Sequence, residues 1–291
     1  MFEGGTRVDG RIADPGQMSL GDHICWTIDR PEEHAPVLCA YFMRGLELGC
    51  RLFYACDRFS PEEVADQLTA AGLDVPALQD EGTLVMLSAS EIYPPAWAFH
   101  GGETVARFRQ QADLAVADGY AGLCAAGDPT ALLRDGVEIE SIVEYELLAD
   151  RTIRTSPLMS LCIYDGSWSS GSHVRDILAA HPAHLGARPA YWTSSGDADG
   201  LALRGEVDMA VGATFWRTLE AVARIDHHVT LDVSSLRFLD VDGMRALERL
   251  ARALYDTDRR LTLVAPSRLL SDCLSTMAVD RLPNVKVAAK P

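Results

Sequence analysis

Residues 51–63 read Arg51-Leu-Phe-Tyr-Ala-Cys56 and then Asp57-Arg-Phe-Ser60-Pro-Glu-Glu63. The first stretch is apolar and aromatic, as a buried strand requires. The polar break after it ends on Ser60, with Glu63 in the position that completes a helix-opening capping box. A strand that runs straight into a helix start is the repeating unit of a parallel sheet. The same alternation extends both ways. His23–Ile28 is a short apolar run, and Glu32–Leu48 has helical periodicity, with Pro31 suited to its first turn. Thr83–Ser88 reads as a strand and Thr104–Asp118 as a helix. Ala121–Ala126 is a strand that ends at Gly127-Asp128, and Val137–Arg151 is a helix. Leu158–Tyr164 is again a strand, and Ser172–Ala180 a helix. Such spacing predicts an α/β fold, a parallel sheet with helices on both faces. Ligands of such sheets bind beyond the carboxyl ends of the strands.

Residues 201–287 form a second, smaller α/β pattern. Leu201–Val207, His228–Val233, Arg260–Val264 and Asn284–Ala288 read as strands. Ala213–Arg224, Met244–Tyr255 and Arg268–Met277 read as helices, with a loop over Leu236–Gly243. The polar, Gly-rich stretch Thr193–Gly200 separates the two patterns and predicts a linker. The expected domains are therefore 20–192 and 201–291, after a loose N-terminus over 1–19.

The chain has 291 residues, 48% of them hydrophobic and 23% charged, enough for two globular cores. No apolar run is long enough for a membrane span, and the first residues lack the apolar core of a secretion signal. Seven scattered cysteines argue for a reducing, cytoplasmic setting. Residues 1–200 carry 13 basic and 30 acidic side chains, whereas residues 201–291 carry 13 and 12. The acidic first part repels nucleic acid and anionic membranes, so neither is an expected partner.

The segments Leu203-Arg-Gly-Glu-Val-Asp208 and Val229–Met244 resemble the STAS family, the bacterial anti-sigma factor antagonists and their relatives. The resemblance lies in Gly205-Glu-Val-Asp208, Leu231-Asp-Val-Ser234 and Phe238-Leu-Asp-Val-Asp-Gly243. It implies a partner loop over Leu239, Asp240, Val241, Asp242, Gly243, Met244 and Arg245, and an anti-sigma factor or kinase-type regulator as partner. In that family the loop commonly reads Asp-Ser-Ser-Gly, and its second Ser is phosphorylated by the partner kinase. Here Asp242 holds that position. One carboxylate charge at a helix start only partly imitates phosphoserine, which carries about −1.5 to −2. Three readings stay open. Asp242 holds the loop in a phosphorylated-like state, or the domain binds constitutively under control of the first domain, or Asp242 only caps the helix.

The first domain contains Gly21-Asp-His-Ile-Cys25, Gly45-Leu-Glu-Leu-Gly49, Arg51–Tyr54, Ala126-Gly-Asp128, Leu161-Cys-Ile-Tyr-Asp165 and His181-Pro182 in this order. In these pieces it resembles the MEDS family, a sensory domain. The resemblance implies a RecA/KaiC-like α/β fold adapted to sensing small organic ligands. The first strand leads into Asp29-Arg-Pro-Glu-Glu-His34, which has no Gly, no Lys and three acids. A phosphate-cradling loop needs the opposite, so ATP hydrolysis there is not expected. Asp128 stands where such folds keep a Mg²⁺-organising acid, and without the phosphate loop it reads as a relic or a cap.

The candidate ligand residues are His23, Cys25, Trp26, Tyr93, Trp97, His100, Asp128, Cys162 and His181. His23 and Cys25 share one strand face. With Cys56, Cys124 and Cys162 they could gather at the sheet's carboxyl end. A metal or haem site is one reading of that group, but no zinc spacing is present, and buried structural cysteine is the other reading. The expectation is no cofactor and no metal. His181 is either a helix-end cap or a donor at a pocket rim. Tyr93, Trp97, Phe99 and His100, in the Gly- and Pro-rich segment Glu91–Gly102, either form a lid or pack on the core, and Trp26 could line the same pocket. No nucleophile elbow and no dinucleotide fingerprint is present, so an enzyme is not expected. The reading is a regulator of transcription or stress signalling, in which an apolar or weakly polar ligand controls a STAS output module. A homodimer is left open. The competing readings are a nucleotide-binding or ATPase-type enzyme and a scaffold that senses nothing.

Overall fold

The computed structural model describes residues 10–167, 171–186, 192–197 and 200–290. The chain divides into two compact units. The first is Met1–Glu138, Thr152–Val174 and Pro182–Arg188, and the second is Ile139–Arg151, Arg175–His181 and Pro189–Pro291.

In chain order the first stretch carries β1 (Gly10–Ile12), β2 (His23–Ile28), α1 (His34–Glu47), β3 (Arg51–Cys56), α2 (Pro61–Ala70) and α3 (Val75–Asp80). Then come β4 (Leu84–Ser88), α4 (Ala89–Ile92), α5 (Gly101–Ala117), β5 (Leu123–Gly127), α6 (Thr130–Arg134), α7 (Ile139–Arg154), β6 (Leu158–Asp165), α8 (Gly171–Ala179) and β7 (Ala183–Leu185). The seven strands form one sheet in the order β1-β7-β2-β6-β5-β3-β4, and every pairing is parallel. The expected α/β class is what is found. All residues of β2 and β5 are buried, which is why these strands are apolar throughout rather than alternating. The capping box forms as read: the Glu63 amide donates to Ser60 Oγ at 3.2 Å, and the Ser60 amide donates to Glu63 Oε2 at 2.9 Å.

Helix α1 packs closely on the sheet. A Cβ on Gly45 would lie 2.7 Å from Cys124 Sγ and from Leu52 Cδ2, so only Gly lets the helix approach β3 and β5 this far. Residues 10–19, read above as loose, are ordered here. Strand β1 pairs with β7, a short helical turn at Pro15–Gln17 is capped by Asp14, and Met18 is fully buried. The partner that orders this segment is distant in sequence, and so left no local signal. Residues 1–9 of that segment lie outside the described residues.

The second unit carries β8 (Trp192–Asp197), β9 (Gly200–Val207), α9 (Gly212–Ile225), β10 (Val229–Leu239), α10 (Val241–Tyr255), β11 (Leu261–Val264), α11 (Arg268–Thr276) and β12 (Val285–Ala288). Its sheet runs β12-β11-β10-β9-β8, parallel except for the antiparallel β8–β9 pair. The stretch 193–200, read as a linker, thus supplies an edge strand; Ala198 and Asp199 lie outside the described residues. Strand β10 is longer than expected and absorbs the first half of the expected loop, while α10 takes its end. Its pairing with β9 shifts register at Asp232/Ser235 and Leu236/Phe238, and such bulges blur a strand's period in sequence. Met244, Leu247, Leu250 and Leu254 bury the inner stripe of α10.

The second unit also takes in most of α7 and the end of α8. Arg217 on α9 binds the fully buried Asp176 of α8 at 3.1 Å and Glu140 of α7 at 3.0 Å. Arg224 on α9 reaches Glu144 of α7 at 2.8 Å. Arg151 of α7 makes a two-pronged pair with Asp226, both contacts at 2.6 Å. Ser194 Oγ of β8 donates to the Ala179 carbonyl at 2.7 Å, and a Cβ on Gly196 would lie 3.1 Å from the Arg151 backbone nitrogen. Among the described residues, no helix is long and apolar enough to cross a membrane.

Arg217→Ala would leave the Asp176 carboxylate buried without this partner. Loss of one member of a fully buried pair costs about 3–5 kcal/mol. Arg217 is part-exposed, which lowers the expected loss to about 2–3 kcal/mol. Arg224→Ala, in a more exposed pair, should cost under about 1 kcal/mol. Urea unfolding of both variants checks the ranking, and equal small losses would contradict it.

Candidate functional site

The central strands of the first unit deliver their carboxyl ends to one cavity. Its volume is about 390 Å³, and its lining is Pro31, Asp57, Arg58, Phe59, Thr130, Arg134 and Asp165. Each element contributes its first residues beyond the strand: Pro31 after β2, the Asp57-Arg58-Phe59 turn after β3, and Thr130 and Arg134 from α6 after β5. Asp165 is the last residue of β6. Two ion pairs frame the space, Arg58 with Asp165 and Arg134 with Asp57. Thr130 Oγ accepts the Asp165 amide at 3.0 Å, which ties α6 to the end of β6. The Arg58 guanidinium lies 5.9 Å from the centre of the Phe59 ring.

Asp128 supports this frame from within. It is buried, and it accepts the amides of Arg58 at 3.2 Å and Thr130 at 3.1 Å, both from lining residues. Burial pushes its carboxyl up to about 6, against the opposing pull of the Thr130 hydrogen bonds. Behind Phe59 sits His34, with ring centres 5.0 Å apart. Its Nε2 lies 2.8 Å from Tyr54 Oη, and burial lowers its pKa to about 4. At neutral pH the His34 ring is therefore uncharged.

The sequence-derived candidates are placed as follows. His23, Cys25 and Cys162 are buried on one face of the sheet, with His23 Nε2 3.3 Å from Cys162 Sγ. Trp26 points to the other face, where its ring stacks on His34 at 6.3 Å. Cys56 and Cys124 belong to the core cluster that includes Trp26 and α1, so the cysteines do not gather together. The reason is strand parity: Cys162 stands opposite Cys25 across β2 and β6, but Cys124 stands opposite Met159. Burial pushes the Cys56 thiol up to about 12, which leaves it protonated. Tyr93 is buried, and its hydroxyl lies 2.8 Å from where a Gly127 Cβ would stand. Trp97 is 88% exposed, and His100 is an exposed residue at the start of α5, so the aromatics of Glu91–Gly102 do not converge. In the second unit His181 is fully buried, with Nδ1 2.7 Å from the Ile177 carbonyl and Nε2 3.3 Å from Glu146 Oε2.

None of the nine candidates lines the cavity, although Asp128 braces two residues that do. Asp57, Arg58, Arg134 and Asp165 went unread because charged residues beside a strand look like ordinary turn residues. The available signal was position: three of the four stand at or just after a predicted strand end.

In the second unit the Leu239–Arg245 segment closes β10 and opens α10. The helix cap is Asp240, whose carboxylate accepts the Gly243 amide at 2.8 Å. Asp242 lies in the first turn, mostly exposed, and pairs with Arg245 at 3.0 Å. The reading of Asp242 as the cap is thereby corrected, because Asp240 already fills that role. A Cβ on Gly243 would lie 2.3 Å from Leu239 Cδ1, so any larger residue there must displace the Leu239 side chain. Val241 is 60% exposed, and Phe238 and Met209 are exposed too.

Two family models match successive spans of the chain. The family model described as the methanogen/methylotroph, DcmR sensory domain (MEDS) matches residues 22–182. The model described as the Mlab, STAS domain matches residues 192–285. Among solved structures, a Thermotoga maritima protein provisionally described as an anti-sigma factor antagonist is similar at 16% identity. That similarity covers 34% of this chain and 86% of the other, with a TM-score of 0.30. No curated protein matches the chain.

Asp128→Asn tests the buried carboxyl. A carboxyl raised from its ordinary value near 4 to about 6 stabilises fully below that ordinary value. The contribution is lost as pH rises through about 6. The wild type should therefore lose about 2 kcal/mol relative to Asp128→Asn between pH 4 and pH 7. Urea midpoints across that range measure it, and a pH-independent difference would refute it.

Proposed function

Since the chain belongs to the MEDS sensory-domain family and carries a STAS domain behind it, we propose that this signalling regulator couples a small ligand to the docking of a protein partner. The ligand enters the cavity at the strand ends of the first unit. The partner is an anti-sigma factor or kinase-type regulator, and it docks on Leu239–Arg245 with the exposed Phe238 and Val241 beside it. The observation that carries this reading is the membership of α7 and α8. Both lie within the matched sensory span, yet they are ion-paired to α9 of the STAS domain through Arg217 and Arg224. A ligand that favours one arrangement of those helices has a physical route to the output module. Only a difference in ligand affinity between two arrangements can drive such coupling.

Asp242 shapes how control is exerted. A carboxylate offers no hydroxyl to a Ser kinase, and its charge does not depend on phosphorylation. The loop therefore does not switch at this position, and control passes to the sensory unit. The role is binding and relay.

Val241→Asp in the full chain should abolish capture of an anti-sigma factor or kinase-type partner that the wild type retains. Val85→Asp, at an exposed site of the first unit, should leave capture intact. Asp242→Ser should take up phosphate from that kinase while the wild type does not. Capture that survives Val241→Asp would move the docking surface away from α10.

A further inference from the structure

We propose that the cavity at the strand ends takes a small organic carboxylate, gripped by Arg58 and Arg134 against the Phe59 ring. The inference deepens the proposed function and rests on that cavity being the sensing site. It departs from the apolar or weakly polar ligand that the sequence suggested.

The first argument is the orientation of the two ion pairs. The side chains of Asp57 and Asp165 are each 12% exposed, whereas those of Arg58 and Arg134 are 22% and 35% exposed. In each pair the carboxylate is the buried member and the guanidinium the open one. The aspartates thus hold the arginines in place, and a ligand meets cations first. A guanidinium is a planar fork that matches a carboxylate, and a fixed one loses little freedom on binding.

The second argument is charge. The lining carries two cations and two anions, so it is formally neutral, and the whole chain carries −16. Such a site tolerates one negative charge far better than several, which disfavours a nucleoside triphosphate. The third argument is size. A cavity of about 390 Å³ falls in the range of small-molecule sites and exceeds what a lone inorganic anion fills. The Phe59 ring and Pro31 supply apolar wall for the remainder, an arrangement suited to a planar or aliphatic body behind the carboxylate.

The test uses the full chain with benzoate as probe, benzamide as its neutral isostere and inorganic phosphate as the bare anion, followed by calorimetry. Millimolar benzoate should bind, with benzamide and phosphate at least about tenfold weaker. Arg58→Gln and Arg134→Gln should each weaken benzoate at least about tenfold, and Arg58→Lys should weaken it less, because it keeps the charge and loses the fork. Circular dichroism and the urea midpoint of each variant report its fold, and the Lys variant keeps the test valid if Arg58→Gln unfolds. Equal binding of benzoate and benzamide, no binding of benzoate, or unchanged affinity in folded Arg variants would each overturn the proposal. Partner capture is scored separately with and without benzoate. Capture that persists while benzoate fails to bind overturns the carboxylate site alone. Arg-dependent benzoate binding that leaves capture unchanged upholds the site and overturns its coupling to output.

Discussion

The Asp176 carboxylate is fully buried, and Arg217 pairs with it from the neighbouring helix. A buried carboxylate is costly unless it is paired, and the guanidinium that α9 presents to α8 offsets part of that cost. The same guanidinium takes Glu140, which brings in α7, and Arg224 repeats the contact at Glu144. These ion pairs add directional contacts to the apolar faces that the three helices bury. A buried ion pair accepts few geometries, and close-packed side chains likewise favour discrete arrangements over a continuum.

The cavity of the first unit follows a similar logic. Its four charged residues come from the ends of β3 and β6 and from α6, elements far apart in sequence. Parallel pairing sets their spacing. Asp128 then links the β3 turn to the β5 turn through two backbone amides. The aspartates hold the two arginines in fixed orientations at the strand ends.

Much of the fold was legible in the residues. Continuous apolar runs such as His23–Ile28 and Arg51–Cys56 mark strands buried on both faces, and Ser60 with Glu63 marks a helix start by hydrogen bonds local to the chain. The STAS-like loop was legible because three short motifs kept their order. What escaped were features set by distant partners. Strand β1 exists because β7 offers an edge, β8 because β9 does, and strand parity decides that Cys124 and Cys162 face opposite ways. The cavity escaped for the same reason: Arg58 and Asp165 look like turn residues until the sheet brings them together. At Asp242 the sequence located the position correctly, but only the geometry shows that Asp240 does the capping.

Gly196 packs its bare backbone against Arg151, and the strand that holds it lies in a stretch that looks like a spacer. This bears on how such proteins diversify. Output modules are commonly regarded as cassettes, exchanged among sensors by recombination at linkers. Here a crossover at 193–200 would divide a strand and part α9 from the acidic residues that its arginines require. A viable exchange must carry α7 and α8 along with the STAS domain, or must reinvent their charges on a new host. The lineage of this STAS domain is therefore tied to that of the MEDS domain before it, and the two should change by matched substitution more readily than by reshuffling.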